Sequence, residues 1–313
     1  MTKQKPLKGI RILSLALNLP GPAAFWRCSQ MGATCTKLEP PAPAGLPAGT
    51  PGDPMGWAAR DIYDLLHAGM RVVSANGKTE AGQKIIHREL AKTDILLTSF
   101  RPSALAKLGL DWKTLHKKYP AMSQVAIVGA AGDRAEEPGH DLTYMADNGL
   151  VQGLNLPPTL YADMGGSLMA SEAILKAVLL QKLSTANGKK PVVGDYFEVA
   201  LADASSYLGL PLAWGMTRLP GTRGKSDLGG SVGGGHAGYK VYASKDGRVA
   251  IAALEPHFAK SLCSLSGVVY ESITTMYAAK THQAVTAFLG SKTNHQLKQL
   301  AVEHDLPLHT MAK

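Results

Sequence analysis

Five short apolar runs alternate with helix-patterned stretches through the first 130 residues, and few folds accommodate that rhythm. Residues 8–17 (Lys-Gly-Ile-Arg-Ile-Leu-Ser-Leu-Ala-Leu), 35–39, 71–74, 95–98 and 124–128 read as strands bounded by turn residues. Between them, 23–31, 57–67, 79–92, a short segment ending at Gly109, and 111–118 read as helices. Asn18-Leu-Pro-Gly-Pro22 turns the chain after the first strand, Gly32 ends the first helix, and Pro40-Pro41 stops the second strand. Strands that alternate with helices pair in parallel, because each helix carries the chain back across the sheet. The expected fold class is therefore α/β, with a Rossmann-like parallel sheet in a large domain. The first strand–helix turn lacks the three-glycine dinucleotide fingerprint, which disfavours NAD. The loop 40–56 is long and rich in Pro and Gly, the kind of connection that usually has a function.

The rhythm changes later in the chain. After Asp163 a helix is predicted to about Ser184, with Leu168, Leu175, Val178 and Leu179 as its apolar stripe and Asn187-Gly188 as its stop. Residues 196–208 fit either a strand or a helix. Residues 209–237 have little periodicity and read as a linker or lid. Tyr239–Tyr242 and Val249–Ala253 flank Lys245-Asp246-Gly247, a hairpin signal. Helical stretches 257–265, 282–289 and 294–303 follow. The expected organisation is a large α/β domain over 1–185, a linker or lid over 186–237, and a smaller α+β domain over 238–313.

Lys and Arg number 33 against 24 Asp and Glu, a formal charge of +9, which suits an anionic partner. The basic residues are dispersed and aromatics are only 6%, with no recognised binding motif, so nucleic acid is not expected. Three scattered cysteines make neither a disulfide framework nor a zinc site, and no metal is expected. No run approaches the ~18 apolar residues that span a bilayer, and no secretory signal precedes Gly9. A cytoplasmic location is expected for a bacterial host, or a mitochondrial or peroxisomal one in a eukaryotic host.

Taken singly, the residues that could do chemistry are ordinary. His140 reads as a surface histidine, Asp163 and Asp141 as helix caps, and Glu255-Pro256 as a helix entry. No Gly-x-Ser-x-Gly elbow, His-Glu-x-x-His pair or Walker A loop competes with them. Gly233, Gly235 and Gly238 give a formal three-glycine match, but they lead into a strand and read as a hinge.

Together the pieces are more specific. Leu7-Lys-Gly-Ile-Arg-Ile-Leu, Pro20-Gly-Pro22, Lys37-Leu-Glu-Pro-Pro41, Thr79-Glu-Ala-Gly82 and Ser99-Phe-Arg-Pro102 occur in order. Gly139-His-Asp141, Ala162-Asp-Met-Gly-Gly166, Asn187-Gly-Lys189, Lys245-Asp-Gly247 and Leu254-Glu-Pro-His-Phe258 follow. Over residues 7–311 the chain resembles the family III CoA-transferase superfamily (CaiB/BaiF type), and within it the α-methylacyl-CoA racemase branch. The transferase branch usually carries an aromatic residue before the Asp at 141 and lacks Glu-Pro at 255–256, so His140 and Glu255 favour the racemases.

The resemblance implies a racemase or epimerase of 2-methylacyl-CoA thioesters. His140 and Asp163 would exchange the α-proton through an enolate, and Glu255 would support His140. It implies no cofactor beyond the CoA moiety of the substrate. It also implies CoA along the loops after the first strands, with Phe100, Arg71, Arg101 and Lys107 as contacts. Asp141, Gly165, Gly166 and Tyr239 complete the expected substrate site, the N–H groups of Met164–Gly166 serving the enolate oxygen. One alternative is a CoA-transferase that forms an acyl intermediate on Asp163. Another is a non-catalytic CoA-binding homologue, motivated by Met70, Ser99 and Thr159, where the family usually has other residues. Interlocked homodimers are implied, with a C-terminal return segment that is short or absent.

Overall fold

In the computed structural model, residues 4–188, 191–219 and 229–313 are described. Lys189, Lys190 and residues 220–228 of the expected linker lie outside them. Two compact units meet in sequence at Gly209–Leu210.

The first unit opens with β1 (Arg11–Ser14), α1 (Pro20–Gln30), β2 (Thr34–Glu39), α2 (Met55–Ala58), α3 (Arg60–His67) and β3 (Arg71–Ser74). It continues with α4 (Glu80–Leu90), β4 (Ile95–Thr98), α5 (Pro102–Lys107), α6 (Trp112–Lys118) and β5 (Ser123–Val128). Then come α7 (Asp141–Asp147), α8 (Tyr161–Ala186), β6 (Tyr196–Ala200) and α9 (Leu201–Leu208). Six parallel strands pair in the order β3-β2-β1-β4-β5-β6. The expected α/β class with a parallel sheet is what the chain forms.

Strands β4 and β5 are buried along their whole length, because helices cover both faces of the sheet. Side chains alternate between the faces. Ile12, Ile95, Leu97, Val125 and Ile127 join one core with Phe25, Met145 and Ile174; Leu13 and Leu96 join the other with Ile86, Leu90 and Leu115.

The ambiguous stretch 196–208 is both elements in turn: a strand that extends the sheet beside β5, then a helix. That pairing carries the first unit past the expected boundary at 185. The stripe expected on α8 is also different. Leu168 and Leu179 are about half exposed, whereas Gly166, Ala170, Ala173, Ile174, Ala177 and Val178 are buried. The buried face consists mostly of small residues because α8 lies close against α1 and α9. The C-terminus of α8 is as expected: Gly188 has φ 72°, and its N–H donates to the Thr185 carbonyl at 3.0 Å.

The second unit holds α10 (Leu210–Ala213), β7 (Tyr239–Ala243), β8 (Arg248–Ala252), α11 (Pro256–Leu265), α12 (Ala279–Gly290), α13 (Asn294–Glu303) and β9 (Leu308–Met311). The Asp246-Gly247 hairpin forms, and Asp246 Oδ1 also accepts from the Asn294 N–H at 2.7 Å, at the first residue of α13. Strand β9, unanticipated from the sequence, pairs antiparallel with β8.

Candidate active site

The chain leaves β1 toward β2 and β3 on one side, then returns to β4 on the other. In open α/β sheets, the crevice beyond the strand ends at such a reversal is where ligands bind. A cavity of about 290 Å³ lies there. Leu17, Asn18 and Pro20 follow β1, Ser99, Phe100 and Arg101 follow β4, and Gly129 follows β5; all of them line it. His140, Tyr144 and Asp163 close the rest of its wall.

The walls are held by specific bonds. The Leu17 N–H donates to Ser99 Oγ at 2.9 Å, joining the two strand-end loops. Asn18 adopts φ 62°, and its N–H donates to Asp53 Oδ1 at 3.0 Å. The other Asp53 oxygen pairs with Lys37 Nζ at 2.8 Å; both side chains are fully buried, and Lys37 Nζ also donates to the Ala16 carbonyl. Nearby, Glu39 accepts from the Gly52 N–H at 3.0 Å and the Tyr63 hydroxyl at 3.1 Å. The Pro- and Gly-rich loop is thus pinned where it returns to the sheet. Glu136 accepts from the Ser103 N–H and Oγ at 2.7 and 2.8 Å, tying the turn before α7 to the first turn of α5.

His140 is the exposed N-cap of α7. Its N–H donates to Thr143 Oγ1 at 3.1 Å, and that hydroxyl donates back to the His140 carbonyl at 2.7 Å. Asp163 is the third residue of α8 rather than its cap, because the helix already starts at Tyr161. Its N–H donates to Asp141 Oδ1 at 3.0 Å, so a buried carboxylate on α7 caps α8 from outside. Burial, and then the Asp141 charge, push the Asp163 carboxyl up to about 6.

The structure gives three groups of the expected site local partners. The Met164 N–H is spent on the Leu160 carbonyl at 3.0 Å, so it is not free for an enolate oxygen. Gly165 and Gly166 are buried against α9, where a Cβ on Gly166 would sit 2.3 Å from Leu201 Cδ2; they let two helices approach rather than a thioester. Asp141 is buried, and its Oδ1 accepts from the Asp163 N–H at the start of α8.

Arg71 and Lys107 do not line the cavity. Arg71 is on the edge strand β3, ion-paired with Glu89, and Lys107 is exposed in the last turn of α5. Glu255, the exposed N-cap of α11, and Tyr239 on β7 belong to the second unit. The sequence reading missed Tyr144 and Asn18. An aromatic residue four positions after His140 on one helix, and an Asn at the turn after a buried strand, were the available signals.

The chain belongs to CoA-transferase family III, whose model matches residues 7–313. It is 34% identical over 198 residues to cinnamoyl-CoA:phenyllactate CoA-transferase of Clostridium sporogenes, covering 59% of this chain and 48% of that protein. It is 26% identical over 284 residues to the α-methylacyl-CoA racemase of Mus musculus, covering 87% and 68%. The first of these matches thus spans about half the relative's length. The crystal structure of a hypothetical protein from Mycobacterium tuberculosis shares the fold with a TM-score of 0.77 at 23% identity, covering 99% of this chain and 86% of the other. Members of this family are enzymes, transferases or racemases. Among the described residues no helix is long and apolar enough to cross a membrane.

Proposed function

We propose that the chain is an acyl-CoA racemase or epimerase, and that the cavity receives the α-carbon of a 2-methylacyl-CoA thioester. Inverting that carbon needs a base on one face and an acid on the other. One of His140 and Asp163 removes the α-proton; the other returns a proton to the opposite face of the enolate. One proton leaves and one arrives, and exchange with solvent resets the pair. The observation that carries this reading is the Asp163 carboxyl, pushed up to about 6 in a cavity it shares with His140. A carboxyl near neutrality can both donate and accept, which a carboxyl in the usual range does poorly. Glu255 as support for His140, and Arg101 and Phe100 as CoA contacts, rest on the resemblance.

The 34% identity to a CoA-transferase favours a second reading. There the Asp163 carboxylate attacks the thioester carbonyl, CoA leaves as thiolate, and an acyl anhydride remains on the enzyme. The returning thiolate attacks the Asp163 carbonyl of that anhydride, giving an enzyme thioester and a free carboxylic acid. An acceptor carboxylate attacks that thioester and expels CoA thiolate, giving a new anhydride; the thiolate then attacks the acceptor's carbonyl, which forms the new acyl-CoA and frees the Asp163 carboxylate. We also propose a homodimer. Half-exposed Leu168, Leu179 and Leu183 on α8 support an apolar contact surface.

Incubation with (S)-2-methylbutanoyl-CoA in deuterated water decides between the two. Deuterium at the α-carbon with loss of optical purity, and no acceptor acid present, is the racemase outcome. Acceptor-dependent CoA transfer with a hydroxylamine-trapped Asp163 adduct would overturn it.

A further inference from the structure

We infer that Tyr144 is the hydrogen-bond donor to the thioester carbonyl oxygen in this cavity; the inference rests on the acyl-CoA reading. Whichever chemistry the site performs, negative charge develops on that oxygen, as an enolate in proton exchange or a tetrahedral adduct in acyl transfer. A fixed donor aimed at it is needed in both cases.

The amides at the start of α8 do not supply one. The Asp163 N–H is taken by Asp141 and the Met164 N–H by Leu160. Ser99 Oγ accepts from the Leu17 N–H and is only partly buried, and Asn18 and Arg101 are exposed to water. Water weakens any donor it can reach, because it competes for the same oxygen.

Tyr144 is different in three respects. It stands one helical turn after His140 on α7, lines the same cavity as His140 and Asp163, and is only 8% exposed. Its hydroxyl makes no hydrogen bond to any described residue. The hydroxyl also occupies a slot made by two glycines: a Cβ on Gly129 would come within 2.2 Å of Tyr144 Oη, and one on Gly139 within 2.4 Å. Two backbone positions without side chains, one after β5 and one before α7, make room for this oxygen. A ring present only to fill the core would need no such clearance for a polar atom. Burial, and then the Asp163 charge, raise the phenol above its ordinary value, so it keeps its proton and can donate. The proton stays on the phenol throughout, and no bond to Tyr144 is made or broken.

The test is Tyr144→Phe in the full chain, beside wild type and Asp163→Asn. Affinity is measured for 2-methylbutanoyl-CoA and for its thioether, in which CH₂ replaces the carbonyl. Wild type is expected to favour the thioester by about tenfold and Tyr144→Phe to bind the two alike, the difference a single hydrogen bond makes. Turnover should fall ~10²–10³-fold in Tyr144→Phe, as when one oxyanion donor is removed, and KM should rise by no more than about the tenfold lost in carbonyl preference. The thermal melt should stay at the wild-type temperature, because the ring still packs. If Tyr144→Phe keeps wild-type turnover and carbonyl preference while Asp163→Asn is inactive, the tyrosine assignment is overturned and the acyl-CoA reading stands. If wild type binds neither compound, both are overturned. If wild type binds but turns nothing over, the carbonyl preference alone decides for or against Tyr144.

Discussion

The Asp163 N–H donates to Asp141 Oδ1 at 3.0 Å, so one carboxylate holds the backbone of the residue whose own carboxyl it perturbs. A single contact fixes where α8 begins and helps to keep Asp163 near neutrality. Substituting Asp141 separates the two effects. Asp141→Asn retains an acceptor oxygen but loses the charge, so the Asp163 carboxyl should fall toward the usual carboxylate range while burial holds it partly up. The acid limb of the pH–activity profile should move to lower pH. Asp141→Ala removes the cap as well and should cost an additional ~0.5–2 kcal/mol of stability by denaturant unfolding.

Asp163→Asn should lower α-proton exchange by ~10²–10⁴-fold, the usual worth of a general acid–base group. It should also stabilise the fold at neutral pH. A folded-state value near 6 against 3.8 unfolded means the folded chain binds more protons between those limits, so wild-type stability declines as pH rises through that window. The variant lacks that decline, a gain on the order of 1–3 kcal/mol above pH 6. Thermal melts of both proteins at pH 4 and pH 7 check the sign.

Lys37 and Asp53 form a fully buried ion pair beneath the loop that carries Asn18. Lys37→Met should cost ~3–5 kcal/mol, because it leaves the Asp53 charge buried and unpaired. Pairing it with Asp53→Leu should cost less than the single variant in stability. The double variant should still weaken substrate binding, because the Asn18 and Met55 N–H groups lose their acceptor. Chemical unfolding and KM measured on both variants separate the two effects.

Gly52 closes the Pro- and Gly-rich loop onto its own start: a Cβ there would fall 1.7 Å from the Pro40 carbonyl oxygen. Gly52→Ala must open that closure and strain the Glu39 contact, at ~1–3 kcal/mol. A lowered Tm would reveal it.

In the second unit, His236 is buried, with Nδ1 accepting from the Gly238 N–H at 3.0 Å and Nε2 unpartnered. Burial, then His282, hold it below its ordinary value. The unfolded chain therefore protonates first, and stability should drop as pH falls below about 6.5. His67, lowered by burial in the first unit, acts in the same direction. His236→Asn, which keeps an acceptor for Gly238, should flatten part of the loss of Tm between pH 7.5 and 5.5.

The sequence by itself determined the alternation of strands and helices, the hairpin at Asp246-Gly247 and the stop of α8 at Gly188, and it singled out Asp163 and His140 as candidates. Each of these depends on neighbours within a few residues: a period of two or 3.6, a turn glycine, a proline, a short motif. Tertiary structure decided what depends on distant partners. It paired 196–200 with β5, buried the small-residue face of α8 instead of its leucines, and gave Gly165 and Gly166 to helix packing. It also set Lys37 against Asp53 and the Tyr144 hydroxyl against Gly129 and Gly139. Burial and the field of Asp141 made Asp163 a carboxyl of about 6, and local sequence carries no record of that, because desolvation is a property of everything packed around a group.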